Sequence, residues 1–294
     1  MKKKGSLVML SILFVFILLK PAYSQDSFKR FSLKISGGYG NMSGGDFDNV
    51  ISGLNSMLTD MAALLDLTVT SQLTNVNWGS EFEGEFVFNL NQRFGVSLGI
   101  GYIRRSDESL GQMELLPLAR GSFSLAPEFT AIPILLSGYY TLPIASKLSA
   151  FVKAGIGYYF VKLDYVNREE TELLGIVLWN QDQGEAKDSG LGFHGAIGLE
   201  YGISQSIAFF MEGMGRYANF KDWEVDNISS NPLGSSEMSG KFWYSEEWNP
   251  TTNKYYPSIE LSQQIPSGTG QRNVRKLAIG ISGIVFKLGI RVRF

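Results

Sequence analysis

From Phe31 onward the chain repeatedly alternates apolar residues with small or polar ones, the period-two pattern of a strand whose two faces meet different surroundings. Eight segments of about ten residues carry it, the length of a membrane-crossing strand. The first sets Phe31, Leu33, Ile35, Gly37 and Tyr39 against Ser32, Lys34, Ser36 and Gly38. The second sets Phe82, Gly84, Phe86, Phe88 and Leu90 against Glu81, Glu83, Glu85 and Asn89, and a tight turn at Asn91-Gln92 leads to the third. There Phe94, Val96, Leu98, Ile100 and Tyr102 face one way and Gly95, Ser97, Gly99 and Gly101 the other. The fourth, from about Phe129 to Leu142, has Ile132, Ile134, Leu136, Tyr140 and Leu142 on one face, while Pro133 and Leu135 make its other face apolar too. The fifth sets Ala150, Val152, Ala154, Ile156, Tyr158 and Phe160 against Ser149, Lys153, Gly155 and Gly157, and the sixth sets Leu191, Phe193, Gly195, Ile197, Leu199 and Tyr201 against Gly192, His194, Ala196, Gly198 and Glu200. A turn from Gly202 to Gln205 leads to the seventh, Ile207, Phe209, Met211, Gly213, Gly215 and Tyr217 against Ala208, Glu212 and Arg216. In the eighth, Phe286, Leu288, Ile290, Val292 and Phe294 alternate with Lys287, Gly289, Arg291 and Arg293. Upstream, Leu277, Ile279 and Ile281 fall on the opposite parity, which predicts a β-bulge near Ser282-Gly283.

The connections alternate long and short: residues 40–77, 105–127, 166–189 and 219–274 are long, and those at 91–92, 143–147 and 203–205 are short. Four long loops at one end, and tight turns with both termini at the other, fit an up-and-down transmembrane barrel with periplasmic turns and extracellular loops. Aromatics gather at the strand ends, with Phe31, Phe88, Phe94, Tyr201 and Phe294 at the turn end and Tyr39, Trp78, Tyr102, Tyr158 and Tyr217 at the loop end. A secreted soluble barrel or sandwich would show the same alternation. The Gly, Ser and charge of the second parity suit the crowded inside of a small barrel better than a soluble exterior.

Composition narrows the choice. Lys2, Lys3 and Lys4 precede an apolar run from Leu7 to Leu19 and then Ala22-Tyr23-Ser24, so residues 1–24 read as a signal peptide cut before Gln25, and residues 25–294 as the barrel domain. Without the four lysines of that leader, 22 basic residues stand against 28 acidic ones, and no basic block exists to hold nucleic acid. The absence of Cys excludes disulfides, thiolate metal sites, a Cys nucleophile and a lipidated N-terminal Cys.

The runs Gly283-Ile284-Val285-Phe286-Lys287-Leu288-Gly289-Ile290-Arg291-Val292-Arg293-Phe294, Ile132-Pro133-Ile134-Leu135-Leu136 with Tyr139-Tyr140, and Phe151-Val152-Lys153-Ala154-Gly155-Ile156-Gly157-Tyr158-Tyr159 resemble the small bacterial outer-membrane β-barrel family. Its relatives include OmpX-like proteins and the OmpA transmembrane domain. The resemblance spans essentially the whole chain after the leader. It implies insertion in the outer membrane among lipid and lipopolysaccharide, with Leu288, Ile290, Val292 and Phe294 in the final strand as the signal read by the barrel-assembly machinery. The chain departs from the simplest members in its loops, above all the 56 residues from Asn219 to Val274, and no OmpA-like peptidoglycan-binding segment is expected after Phe294.

Several residue groups are candidates for chemistry. Glu81, Glu83 and Glu85 share one face of the second strand. With Tyr39 placed near Trp78, Lys34 is expected opposite Glu83, and Lys287, Arg291 and Arg293 arrive on the closing strand. A lumen-filling salt-bridge network is therefore expected, extended by His194, Glu212 and Arg216, rather than paired catalytic carboxylates. The turn after the sixth strand puts His194, the one histidine, near Glu212. A hydrolase triad is the rival reading, but no serine lies where activation by that pair would be expected. Gly44-Gly45-Asp46-Phe47-Asp48-Asn49 lacks the further ligands of a Ca²⁺ loop and reads as an N-cap for an amphipathic helix over about residues 48–66, with Val50, Leu54, Met57, Leu58, Met61, Leu64 and Leu65 on one face. Packing of that helix on other loops is preferred over insertion in the barrel mouth or the outer leaflet. Gly99-Ile100-Gly101 and Gly155-Ile156-Gly157 lie inside strands and are not nucleotide loops.

The last loop carries Phe220, Trp223, Phe242, Trp243, Tyr244, Trp248, Tyr255 and Tyr256; Trp223, Trp243, Tyr244 and Trp248 are the candidate contacts for an extracellular ligand or partner. The combined expectation is an all-β, eight-stranded antiparallel transmembrane barrel, monomeric and non-enzymatic, with a helix in its first loop, no cofactor, no metal and no nucleic-acid partner. Ten strands would require the last loop to cross the membrane, against its charge and prolines. A narrow channel for small or apolar solutes and an outer-membrane lipid enzyme are the alternatives.

Overall fold

The computed structural model describes residues 29–294 other than 67, 76, 107, 116–118 and 174. The expected leader and its cleavage site before Gln25 lie outside the described residues. The elements, in chain order, are β1 (Phe31–Ser43), α1 (Asp46–Leu65), β2 (Thr68–Ser71), β3 (Trp78–Asn89), β4 (Phe94–Ser106), β5 (Ser109–Leu115), β6 (Ala119–Pro143), β7 (Leu148–Leu173), β8 (Ile176–Gly202), β9 (Ile207–Phe220), β10 (Glu224–Asn231), β11 (Gly234–Asn249), β12 (Lys254–Ser262), β13 (Gln271–Lys276), β14 (Ile279–Gly280) and β15 (Ser282–Arg293).

Eight strands close into a ring, β1–β3–β4–β6–β7–β8–β9–β15 and back to β1, with every neighbour antiparallel. Closure leaves no unpaired edge within the ring, the condition for strands in hydrocarbon. The period-two pattern explains why these segments pair this way. Ile35, Phe82, Leu98, Ile134, Val152, Ile197, Met211 and Leu288 point outward and are exposed, whereas Lys34, Glu83, Ser97, Leu135, Lys153, Glu212 and Lys287 point inward and are buried.

The outward apolar belt has a visible upper limit. On β7 the row Val152, Ile156, Tyr158, Phe160 gives way to Lys162, whose ammonium pairs with Asp164 at 3.0 Å and with Glu185 of β8 at 2.5 Å. Thirteen residues from Leu148 to Phe160, at about 3.3 Å each and a tilt near 45°, span about 30 Å, the thickness of a bilayer core.

Above that limit three of the expected loops prove to be extensions of the sheet. Residues 105–127 contain the β5–β6 hairpin, residues 166–189 are the outer halves of β7 and β8, and residues 219–274 supply β10 to β12 and most of β13. The outer half of β8 pairs with β10, β10 with β11, and β11 with β12 and β13, so one wall of the barrel continues outward as a sheet. The alternation there mixes charge with apolar residues on both faces, because lipid no longer imposes a polarity on either, and so it reads as loop.

Two registers and one bulge differ from expectation. Lys34 stands opposite Glu85 rather than Glu83, because Tyr39 lies opposite Ser80 and its ring stacks on Trp78 diagonally, with centroids 5.7 Å apart. His194 stands opposite Arg216, and Gly198 takes the place facing Glu212. The turn lies later than expected, at 203–206, with the Ile203 and Ser204 N–H groups donating to Ile207 O, and each residue by which a turn's centre moves shifts cross-strand partners by two. No bulge interrupts the last strand: Ile279 faces Phe220 and Gly283 faces Arg216 in one continuous register. Leu277, Ile279 and Ile281 are buried on the inward parity, so the change from apolar to polar is a change inside the lumen, not a change of face.

The helix begins at Asp46, earlier than the expected residue 48, and ends at Leu65. Its N-cap is Gly45, at φ 66°, and no side chain caps it. The carboxylates expected to cap it are engaged elsewhere: Asp46 binds Arg275 and the Ala278 N–H (2.9 Å), and Asp48 accepts the Gly44 N–H at 2.6 Å.

Candidate functional site: a filled lumen and an extracellular wall

The inward parity stacks in layers along the barrel axis. Near the tight turns, Arg291 donates to Ser32 Oγ (2.9 Å), Asn89 Oδ1 (3.1 Å) and Glu200 Oε2 (3.1 Å), and Arg293 also pairs with Glu200. Next comes an aromatic layer of Tyr139, Phe151 and Phe210, joined by Val87. Gly198 and Gly289 make room for it, since a Cβ at either would collide with the ring of Phe151 or Phe210 respectively. The Lys34 ammonium sits over the Phe151 and Phe210 rings, 4.4 and 4.1 Å from their centroids.

The charged layer follows. Lys34 donates to Tyr139 Oη at 2.8 Å and lies 3.5 Å from Glu85 and 3.4 Å from Glu212. Lys153 reaches Glu83 at 3.2 Å, Glu212 at 3.2 Å and Glu85 at 3.5 Å. Lys287 pairs with Glu81 at 2.6 Å and with Glu83, and Arg216 with Glu81. Ser97 Oγ donates to Glu85 at 2.7 Å, and the Tyr139 hydroxyl donates to the same carboxylate. Four cations, Lys34, Lys153, Arg216 and Lys287, thus balance four carboxylates, Glu81, Glu83, Glu85 and Glu212, and all eight are buried. In a low-dielectric interior such charges persist only when mutually compensated, which an interlocked set achieves.

An apolar layer covers the charges on the outer side. Ile103, Phe129, Ala131, Leu135, Tyr159 and Phe220 from the barrel join Val50 of α1, Trp223, and Phe242 and Tyr244 of β11 in one buried cluster. The helix is tied to the wall by Asp60, which accepts from Lys254 Nζ (2.8 Å) and the Tyr256 hydroxyl (2.6 Å), and to the segment after β2 by Asn55, which exchanges two 2.8 Å bonds with the Leu73 backbone. The helix thus packs on the other loops, as preferred, and through Val50 it also folds over the barrel mouth. Burial alone would raise the Asp46 carboxyl, but the hydrogen bonds from Arg275 and the Ala278 N–H hold it below the usual Asp range.

Of the expected network, Lys34, Glu81, Glu83, Glu85, Glu212, Arg216 and Lys287 meet in one layer, while Arg291 and Arg293 form a separate pair with Glu200. His194 takes no part in the ion pairs; its Nε2 lies 2.7 Å from Ser137 Oγ, and its buried Nδ1 has no partner among the described residues. A Ser–His pair is present, but no carboxylate orients the ring and both side chains are buried. Sequence reasoning left Lys153, Tyr139, Ser137 and Glu200 out of the network. Lys153 and Glu200 were legible, because each lies on the polar parity of its strand.

The aromatic candidates of the last loop divide. Trp223 donates to Phe220 O at 3.2 Å, Trp243 donates to Ser262 O at 3.1 Å, and Tyr244 lies under the Arg275 guanidinium, 4.2 Å from the ring centroid; all three are buried. Trp248 is 39% exposed, its ring tilted at 58° to that of Tyr255 with centroids 5.0 Å apart, and the Tyr255 ring carries the Arg272 guanidinium at 3.9 Å. Leu288 and Ile290 face outward and are exposed at the end of β15. Val292 stands opposite Leu33, and the Phe294 N–H closes the ring end on Phe31 O at 2.8 Å. No group of side chains arranged to hold a metal ion occurs among the described residues.

A closed antiparallel ring with an apolar outside and a charged inside defines an integral outer-membrane β-barrel. The family described as "Outer membrane protein beta-barrel domain" matches residues 10–233, and the chain belongs to it. Among solved structures it is similar to the outer membrane protein OprG of Pseudomonas aeruginosa, at 11% identity over 92% of this chain and 99% of that one, TM-score 0.39. It is also similar to a major outer membrane protein from Thermus thermophilus, at 12% identity over 90% and 99%, TM-score 0.41. Neisserial surface protein A is a third, at 11% identity over 90% and 97%, TM-score 0.33. No curated protein matches the chain. The protein is an outer-membrane protein.

Proposed function

We propose that this barrel is a non-enzymatic surface protein whose extracellular wall contacts a ligand or partner while its lumen stays shut. The observation that carries the reading is the layering of the lumen: eight buried, balanced charges lie between an aromatic layer and an apolar cluster that includes α1 and β11. Eight strands leave room for side chains but not for a water column of porin width. With the interior filled, contact falls to the wall formed by β10 to β13, where Trp248 and Tyr255 offer accessible ring edges beside Arg272.

Among the described residues, the Ser137–His194 pair is the feature that favours an enzyme. Without access to substrate or a carboxylate on Nδ1, it is better suited to holding the β6–β8 interior together. The test is binding of the protein, reconstituted in lipid nanodiscs, to a glycan array and to cells, beside Trp248→Ala. Binding that Trp248→Ala weakens supports the reading. Turnover of a lipid or peptide substrate that is lost in His194→Ala would replace it with an enzyme.

A further inference from the structure

The two ends of the barrel compensate their cations differently. At the end of the tight turns the rim consists of residues 29–31, 89–94, 141–148, 201–207 and 292–294, which include Lys29, Arg30, Arg93, Lys147 and Arg293 and no Asp or Glu. Glu200, one residue inside this rim, is buried in the lumen and already paired with Arg291 and Arg293. Arg30, Arg93 and Lys147 are exposed and enter no ion pair with any described residue. Lys29 donates to neutral oxygens, Ser206 Oγ and the Arg293 carbonyl, so its charge is uncompensated too. At the opposite end Lys162 pairs with Asp164 and Glu185, Lys254 with Asp60, Arg272 with Glu246 and Arg275 with Asp46.

Backbone hydrogen bonds set these cations one after another around the ring. The Asn89 N–H donates to Arg30 O, the Thr141 N–H to Arg93 O, the Gly202 N–H to Lys147 O and the Arg293 N–H to Ser206 O, each at 2.7 Å. Each turn also carries a bare aliphatic side chain: Leu90 is 59% exposed, Ile144 59% and Ile203 49%. Lys147 directly precedes Leu148, where the apolar belt of β7 begins. An exposed aliphatic residue beside an exposed cation suits the boundary where hydrocarbon meets headgroups, because the long stem stays with the apolar phase while the charge reaches the polar one. The turns are too short to raise a groove around a protein segment, whereas lipid borders the rim on every side. A phosphodiester supplies the acceptor oxygens and the negative charge that no carboxylate of the rim supplies. In a zwitterionic headgroup that charge is already balanced by the lipid's own ammonium, so uncompensated cations favour a headgroup with net negative charge.

We propose that the rim at the turn end is a collar for anionic phospholipid, in which Arg30, Arg93 and Lys147, with Lys29 and Arg293, hold net-negative phosphodiester headgroups of the adjoining leaflet. The collar acts independently of whatever the extracellular wall contacts. It fixes the depth of the turns at the headgroup level and enriches one lipid class around one end of the barrel, by about fivefold for each cation at the surface.

The absence of Cys allows a local test on the full barrel. Leu90→Cys, between Arg30 and Arg93, and Tyr102→Cys, at the far end of the outward row of β4, are each labelled with a fluorophore in bilayers of phosphatidylcholine and phosphatidylglycerol. Quenching by brominated phosphatidylglycerol is compared with quenching by brominated phosphatidylcholine at the same mole fraction. The expected result is about fivefold enrichment of phosphatidylglycerol beside the Leu90→Cys label and none beside the Tyr102→Cys label. The enrichment should vanish at about 1 M salt, where the screening length is about 3 Å. It should also vanish when Arg30→Gln and Arg93→Gln are added and persist with Arg30→Lys and Arg93→Lys, each barrel being checked by heat-modifiable gel migration. No enrichment at the turn end, equal enrichment at both labels, or enrichment that the glutamine variant retains overturns the proposal. Displacement of the lipid by glycerol 3-phosphate at constant ionic strength overturns it in favour of a site for soluble phosphate esters. Binding of polyglutamate that the glutamine variant loses, without lipid enrichment, overturns it in favour of an acidic protein segment.

Discussion

Neutralising Glu83 should destabilise the barrel more than any exposed charge change. Its carboxylate lies 3.2 Å from Lys153 Nζ and also pairs with Lys287, and the three side chains are between 1% and 3% exposed. At 3.2 Å and an effective dielectric of 20, one such pair is worth about 5 kcal/mol. Both lysines keep other partners in Glu83→Gln: Lys153 retains Glu212 at 3.2 Å and Glu85 at 3.5 Å, and Lys287 retains Glu81 at 2.6 Å. The layer is nevertheless left with four cations against three carboxylates, so the net loss falls at about 3–5 kcal/mol, the range for removing one partner from a buried pair. With a urea m-value of about 2 kcal/mol/M, the unfolding midpoint should fall by about 2 M. The comparison is Glu128→Gln, which breaks the Arg104–Glu128 pair at 2.9 Å, where the side chains are 51% and 38% exposed. That pair should contribute less than about 1 kcal/mol. Urea titration of the refolded barrel, followed by tryptophan fluorescence and heat-modifiable migration, reads both. Equal midpoints for Glu83→Gln and the unmodified protein would refute the claim that the lumen charges are desolvated and interdependent.

Three further outcomes follow from the geometry. Gly198→Val should lower the refolding yield sharply, because its Cβ meets both the Phe151 ring and the Met211 carbonyl oxygen, and Gly198→Val combined with Phe151→Ala should recover only the part due to the ring; refolding gels measure both. Because the folded Asp46 carboxyl lies below its ordinary value, it contributes stability above about pH 4, the unfolded range, and that contribution is lost as pH falls through the folded value. Proteolysis of the helix and wall should therefore accelerate on acidification below pH about 4, and Asp46→Asn should be fast throughout. Ser137→Ala should cost about 1 kcal/mol in the urea titration, the loss of one buried hydrogen bond to His194.

Strand identity and facing were legible because parity is a local property: Glu81, Glu83 and Glu85 are inside for the same reason that Phe82 and Phe86 are outside. Partnering was less legible. Which carboxylate faces Lys34 depends on a turn and a diagonal aromatic stack tens of residues away, and so the expected register slipped by two residues. The assumption that apolar residues face lipid failed where the lumen itself is apolar, and it turned the buried run Leu277, Ile279 and Ile281 into an expected bulge. Helical spacing located α1, but its capping depended on Arg275 and Ala278, more than two hundred residues distant. Trp223, Trp243 and Tyr244 look like Trp248 in sequence, and only the sheet formed by β10 to β13 separates those that pack from the one that is accessible.

The central claim is that the lumen is closed, and single-channel recording of the folded mature protein in a planar bilayer tests it most directly. The account predicts silence at moderate voltage, from the unmodified protein and from Trp248→Ala alike. Stable conductance steps in the unmodified protein would contradict it and would make Lys34, Lys153 and the four lumen glutamates selectivity residues of a narrow pore.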